Sequence, residues 1–372
     1  MTIGPSLSSL PAPFLAPSSI ETASVPLDAL APDVLAEDLF EPEPTHIEVF
    51  PSYGTEEQVT IRGRVLEGHA PTAAHAGDSR FANLIRNLSF LESDEVKRTP
   101  VKIEFAGKTL HVKTDRDGVF EVAIGGFAGL KPGYHAVKVS MVGNDDYLAA
   151  EAEGKVVVQR RDDASFGVLS DIDDTLQFSY AANKLKAAKT LLLGNEATLK
   201  PVPGMAALYQ ALEMASDGLA DGDVSYLSGS PMNYAGRIQN FMRAEGFPEG
   251  AVQLKNMGFR QGEDNPLAQS EYKLHHLREM FETYPQKSFY LFGDSGEADP
   301  EVYQQIAQEY PGRVQGIFIH NVTASSPGDE RFTGMHVIAS GYDAARVLQA
   351  QGVLSDAAVE TVLRAQQVQE KE

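Results

Sequence analysis

Gly167-Val168-Leu169-Ser170-Asp171-Ile172-Asp173-Asp174-Thr175-Leu176 is the stretch on which the fold of this chain turns. A short apolar run, Phe166 to Leu169, feeds directly into a cluster of carboxylates. Such a run is long enough for a buried strand and too short for a buried helix. A buried parallel strand that ends in polar residues delivers them to the carboxyl edge of its sheet, where open α/β sheets bind ligands. Asp171 and Asp173 alternate with Ile172 in the pleat. Carboxylates held this close repel each other unless a cation lies between them or one is protonated. One reading is a Mg2+ site with a carboxylate free to act as a nucleophile. The other is an acidic turn after a strand, with Asp173 or Asp174 capping the next helix. The stretch alone leaves both open.

The 372 residues suffice for two domains and a disordered piece, and a hydrophobic content of 42% can bury a core. There is no cysteine, which excludes disulfides, thiolate zinc sites and a cysteine nucleophile. A net charge of −21 argues against a nucleic-acid partner and against attraction to anionic lipid surfaces. No apolar run has the length of a membrane helix, and no basic region followed by an apolar core opens the chain. A cytoplasmic protein, with at most transient membrane-surface contact, is the expectation.

Residues 1–43 are rich in Pro, Ser and Ala, lack Lys and Arg, and turn acidic from Glu21 onward, which predicts a disordered tail. Val34 to Phe40 is mildly amphipathic and suits either a docking segment or a solubilising leader; its protein partner is unknown. Residues 44–160 change to short alternating runs: His46–Phe50, Gln58–Leu66, Pro100–Phe105, Thr109–Val112, Val119–Ile124, His135–Met141 and Gly154–Val158. Period-two strands with turn-marked spacing predict a β-sandwich accessory domain. One helix is expected near Arg80–Leu91, where Phe81, Leu84, Ile85 and Leu88 share a face. The stretch Thr114 to Phe120 resembles the hairpin of transthyretin-like or immunoglobulin-like modules. The histidines of this region are scattered and suggest structural or solvent-facing roles.

From residue 161 apolar strands alternate with helical stretches, the pattern of βαβ units. Strands are expected at 166–169, 224–227, 251–254, 288–292 and 314–319, and helices at 181–193, 205–215, 234–245, 272–284 and 300–310. Residues 343–372 read as closing helices broken at Gly352. Three further polar clusters follow the apolar strands or open helices. Ser228-Gly229-Ser230-Pro231 offers a hydroxyl and backbone N–H groups at a helix start, suited to phosphate, with Ser230 as the cap. Lys273 lies in a first helical turn, where a cation opposes the helix dipole; a phosphate or plain solvation accounts for it. Gly293-Asp294-Ser295-Gly296-Glu297-Ala298-Asp299-Pro300 places Asp294 to ligate a hard cation and Asp299 to cap the helix while pointing into the site.

Carboxylate pair, hydroxyl, lysine and second carboxylate pair, in this order, resemble the four motifs of the haloacid dehalogenase superfamily of phosphotransferases. The resemblance narrows on Asp-Ile-Asp-Asp-Thr (171–175), Tyr-Leu-Ser-Gly-Ser-Pro (226–231) and Phe-Gly-Asp-Ser-Gly-Glu-Ala-Asp-Pro (292–300), with Pro-Gly-Met (203–205) and Phe-Pro (247–248) between them. Together these resemble the catalytic domain of the actin-patch-associated, lipin-related phosphatidate phosphatases. The resemblance implies an α/β, haloacid dehalogenase-like (Rossmann-like) parallel sheet with small or no cap over residues 161–342, preceded by the sandwich. It implies Mg2+-dependent conversion of phosphatidate to diacylglycerol. Asp171 is then the nucleophile that forms an aspartyl-phosphate and Asp173 the general acid and base. Ser228, Gly229 and Lys273 bind the phosphoryl group, and Asp171, Asp173 (through its backbone carbonyl) and Asp294, with Asp299 in support, form the metal site. Met232 departs from the aromatic expected after Pro231, but it is apolar and flexible.

The strongly acidic charge fits lipid less well. A soluble phosphomonoester is therefore an alternative substrate, and an interaction scaffold with a vestigial phosphatase domain is an alternative of another class. Phe178 to Lys200, with Lys184, Lys186, Lys189 and Lys200 beside Leu185 and Leu191–Leu193, is the candidate surface-contacting element; a packed helix with solvated lysines fits it equally.

Overall fold

A computed structural model of the chain describes residues 41–70, 95–127, 129–177, 199–256 and 268–371. The expectations for the tail, for the helix near Arg80–Leu91 and for the stretch 181–193 lie wholly or almost wholly outside the described residues.

Seven strands form the first sheet: β1 (Thr45–Thr55), β2 (Gln58–Glu67), β3 (Pro100–Phe105), β4 (Lys108–Lys113), β5 (Val119–Gly125), β6 (Gly133–Met141) and β7 (Ala150–Gln159). Their order is β4-β3-β6-β7-β1-β2-β5, antiparallel throughout except that β1 and β7 run parallel. Alternate residues such as Val59, Ile61, Val101, Ile103, Val137, Val139, Val156 and Val158 fill its interior. The two edge strands are consecutive in the chain. The turn 114–118 joins them at one end, and Lys108 Nζ donates to Gly125 O over 2.5 Å at the other. The sheet is thus a nearly closed barrel.

Long β1 makes the closure possible. It pairs with β2 along Thr45–Gly54 and with β7 along Ser52–Thr55, shifting register between Phe50 and Tyr53. Such an irregularity bends a strand. Gly63 on β2 lets Phe120 lie across it; a Cβ there would sit 2.4 Å from the Phe120 ring.

The second sheet is wholly parallel: β8 (Phe166–Ser170), β9 (Val224–Pro231), β10 (Val252–Lys255), β11 (Ser288–Asp294), β12 (Val314–His320) and β13 (His336–Ile338), in the order β10-β9-β8-β11-β12-β13. Val168, Tyr226, Tyr290 and Phe292 face one core with α1 (Met205–Ser216), α2 (Ala235–Glu245), α5 (Gly341–Ala350) and α6 (Asp356–Gln369). Leu169, Leu227, Leu291, Ile317 and Ile319 face the other, with α3 (Gln269–Thr283) and α4 (Asp299–Glu309). Burial on both faces is why these strands read as unbroken apolar runs.

The expected class, an α/β haloacid dehalogenase-like sheet preceded by a sandwich, is corrected. Among the described residues the protein is mostly sheet, a nearly closed mixed sheet plus a parallel one, with thirteen strands against six α-helices. Two physical reasons account for the difference. Period two reveals strands and their inward faces, but a sandwich and a curled sheet share that period. In addition, β13 is only three residues long and follows a crossover that carries a 3-10 turn at Glu330–Phe332, so no periodic run marks this sixth strand.

Candidate active site

The order of the parallel sheet reverses direction between β8 and β11, and the crevice outside the carboxyl ends at such a point is where ligands bind. Asp171 follows the last residue of β8, and its N–H donates to Phe292 O on β11 over 2.8 Å. Ser170 Oγ donates to Asp171 O over 2.6 Å and meets Tyr209 OH at 2.7 Å. The nucleophile candidate is therefore clamped from both neighbouring layers. Its side chain is 1% exposed.

Lys273, on α3, is 2% exposed and sets Nζ 2.9 Å from Asp171 Oδ1 and 3.1 Å from Glu297 Oε2. It also bonds Asp299 Oδ1. Burial alone would lower its pKa, but the carboxylates of Asp171, Asp299 and Glu297 outweigh that and hold the ammonium well above its ordinary value.

Asp294 ends β11. Its Oδ1 accepts from Gly296 N at 2.6 Å and Glu297 N at 3.2 Å, an Asx-type turn that leaves Oδ2 unbonded. Asp299 opens α4 and accepts from Asp294 N at 3.1 Å through Oδ2. Gly293 makes that approach feasible, since a Cβ there would lie 2.5 Å from Asp299 Oδ2. Asp171, Asp294 and Asp299, all buried, each bring a carboxylate oxygen within 4.8 Å of the others.

Burial pushes all three acids up. Asp171 is raised well above the carboxylate range, Lys273 opposing and Asp299, Glu297 and Asp294 adding to the shift. Asp294 rises to about 8, with Asp299 and Glu297 as further causes. Asp299 is raised by burial and Glu297 against the pull of Lys273. One ammonium cannot balance this many buried carboxylates. With Asp171 Oδ2 and Asp294 Oδ2 lacking donors, the cluster fits a hard divalent cation ligated through oxygen.

Asp173 is turned elsewhere. Its Oδ2 accepts from Ser228 Oγ at 2.9 Å and Ser230 Oγ at 2.7 Å, and its Oδ1 from Gln177 Nε2 at 3.3 Å. Its carboxylate lies outside the trio of acids, as suits a residue expected to meet the metal through its backbone carbonyl and to keep its side chain for proton transfer. Ser230 was expected to cap a helix. Its hydroxyl instead holds Asp173, and α2 begins after a 3-10 turn without any side-chain cap. Asp299 likewise caps no N–H of α4. Gly229 leaves room for Gln269, which a Cβ would meet at 2.5 Å, and Gln269 reaches on to Glu297.

Glu297, Gln269 and His320 join the site without a role predicted from the sequence. Glu297 sits inside the 293–300 cluster, which was a usable signal; the other two carry none. His320 closes β12, donates from Nδ1 to Asp174 O over 2.5 Å and accepts from Ser295 N at its own carbonyl over 3.0 Å. Asp174 has φ 55°, a left-handed conformation unusual for a side chain other than glycine. Burial lowers the pKa of His320, which favours the neutral ring, with Nδ1 carrying the proton.

Residues 166–321 match the family described as the catalytic domain of phosphatidate phosphatase APP1. The chain is 26% identical over 153 residues to phosphatidate phosphatase APP1 of Saccharomyces cerevisiae, an overlap of 41% of this chain and 25% of that relative. The chain thus spans about a quarter of the relative's length. The resemblance carried by the three motifs is borne out: residues 166–321 are similar to the catalytic domain of this family. Among solved structures, a bacterial ice-binding adhesin is 14% identical, with 35% of each chain covered and a TM-score of 0.21. An apo β-glucuronidase 3 of Bacteroides uniformis is 10% identical, with 76% of this chain and 33% of that one covered and a TM-score of 0.26. Scores this low assign no fold. No helix among the described residues is long and apolar enough to cross a membrane.

Proposed function

We propose that the domain spanning residues 166–321 removes the phosphate of phosphatidate, giving diacylglycerol and phosphate, with Asp171 as nucleophile and a Mg2+-type cation at Asp171, Asp294 and Asp299. The observation that carries the reading is the buried Asp171 carboxylate, 2.9 Å from a buried ammonium and with Oδ2 lacking a donor. A carboxylate in that state is poised to attack a phosphorus atom that brings its own anionic oxygens to Lys273. A dication bound there would neutralise the carboxylates and the charge growing on the phosphoryl oxygens.

In the first step an Asp171 oxygen bonds to phosphorus as the ester P–O bond breaks, and Asp173 gives a proton to the departing oxygen. In the second, Asp173 takes a proton from water, which attacks the phosphorus and releases phosphate and Asp171. Ser228 and Ser230, whose hydroxyls bond Asp173 in the structure, orient that carboxyl group and can turn to a phosphate oxygen. Lys273 holds the phosphoryl group.

The lipid rests on the family resemblance. A net charge of −21 favours a second reading, a soluble phosphomonoester, because it repels anionic bilayers. Phosphate release from phosphatidate in mixed micelles and from p-nitrophenyl phosphate, each with Mg2+ or EDTA, separates the two. Metal-dependent release from phosphatidate that Asp171→Asn abolishes is the expected result. Release from the soluble ester alone would remove the lipid and keep the mechanism. Full activity of Asp171→Asn would remove the mechanism.

A further inference from the structure

A second metal-binding constellation lies on α3, within two turns of Lys273 and outside the site described above. His275, His276 and Glu279 each bring one ligand atom within 4.8 Å of the others. His276 Nδ1 is 2.8 Å from Glu279 Oε2, and His275 Nε2 is 3.4 Å from Glu279 Oε1. Bonds of the length zinc makes to imidazole and carboxylate oxygen, arranged tetrahedrally, put neighbouring ligand atoms about 3.3 Å apart. The two contacts, one to each Glu279 oxygen, lie near that spacing without an ion to impose it.

The geometry points to a binding site for one divalent transition-metal ion of the Zn2+ class, held by the His275 and His276 imidazoles and the Glu279 carboxylate, with water completing the shell. Two imidazoles and one carboxylate suit Zn2+, Co2+, Ni2+ or Cu2+; Mg2+ prefers the all-oxygen cluster around Asp171. His276 is packed edge-on against Tyr272 with ring centroids 4.5 Å apart, which holds its ring in place. His275 is two-thirds exposed, so an ion can enter from solvent. The charge of Arg62 bears on Glu279, and Lys255 Nζ lies 5.2 Å from the Tyr272 ring on which His276 packs. Arg62 is tethered away by Glu121 at 3.5 Å and Leu254 O at 3.3 Å. The acidity of the whole chain draws cations to its surface. Because residues 275–279 follow Lys273 on the same helix, an ion there staples the turn next to the phosphate-binding lysine.

The test is titration of the full chain with ZnCl2 in excess Mg2+, followed calorimetrically and, with Co2+, by visible absorption. Wild type is expected to bind one ion. His275→Ala and Glu279→Gln are each expected to weaken it at least tenfold and to abolish the tetrahedral Co2+ bands, whereas Asp294→Asn leaves both intact. His275 is exposed, so His275→Ala keeps the fold even if His276→Ala, which uncovers Tyr272, does not. No zinc bound by wild type, or binding unchanged in His275→Ala, overturns the inference. So does loss of binding in Asp294→Asn alone, which would assign the ion to the acidic cluster.

Discussion

His320 ties the two acid-bearing loops together through a single residue. Its ring holds the strained Asp174 carbonyl beyond β8, and its carbonyl holds Ser295 beyond β11. Groups that orient ligands in this way cost about 10–100-fold in metal affinity or activity when removed. His320→Ala is expected to weaken Mg2+ by that factor, read calorimetrically and from the Mg2+ dependence of phosphate release. His320→Asn, whose amide can still donate, is expected to lose less. Gly293→Ala acts on Asp299 instead, because its Cβ would meet that carboxylate at 2.5 Å. The expected outcome is a folded chain by circular dichroism with metal-dependent activity lowered at least tenfold.

Helix α1 carries a buried acid that lies outside the site. Glu213 Oε1 accepts from Gly222 N at 3.0 Å. Burial, followed by the charge of Asp223, lifts its pKa from 4.5 to about 7. Below the lower value the group is protonated in both states and costs nothing; stability falls as pH rises from 4.5 to about 7 and stays lowered above it. Glu213→Gln removes that loss. Its urea midpoint is expected to match the wild type's near about pH 4. At about pH 8 it is expected to exceed it by the equivalent of about 1–2 kcal/mol, after solvent screening. Equal midpoints at both pH values would show that Glu213 stays ionised in the fold without penalty.

Across the whole molecule, the amino edge of the parallel sheet is gathered on Lys287. Its Nζ bonds Asp163 at 2.6 Å, Asp223 at 2.5 Å and Ser165 at 3.0 Å. Gln159, the last residue of the barrel, joins at Asp223 over 2.8 Å. Tyr284 OH also reaches back to Gly54 O on β1 over 3.1 Å, and Tyr134 OH on β6 to Glu249 O over 2.7 Å. The buried ammonium therefore sits where barrel and parallel sheet meet. Lys287→Met strands two carboxylates, and breaking a buried pair from one side costs about 3–5 kcal/mol. Urea unfolding of Lys287→Met is expected to show that loss in one transition, with Asp223→Asn in the same chain recovering part of it. A separate early transition for the barrel would show that the junction does not couple the two sheets.

What the chain declares by itself is local. Apolar runs ending in Asp171, Ser228 and Asp294 could be read as buried strands with polar ends, because a strand covered on both faces tolerates little else. The alternating runs before residue 160 declared strands for the same kind of reason. Neither pattern says which strands are neighbours. Closure of the first sheet depends on β1 pairing with β7, about a hundred residues away, and β13 is too short to announce itself. The roles of Ser230, Gln269 and His320 were likewise illegible. A serine before a proline looks like a cap until the fold brings Asp173 within 2.7 Å of it, and a histidine at a strand end has no partner until another loop delivers a carbonyl. Periodicity records the faces that are hidden from water; contacts between distant segments leave no period, so only the tertiary structure could decide them.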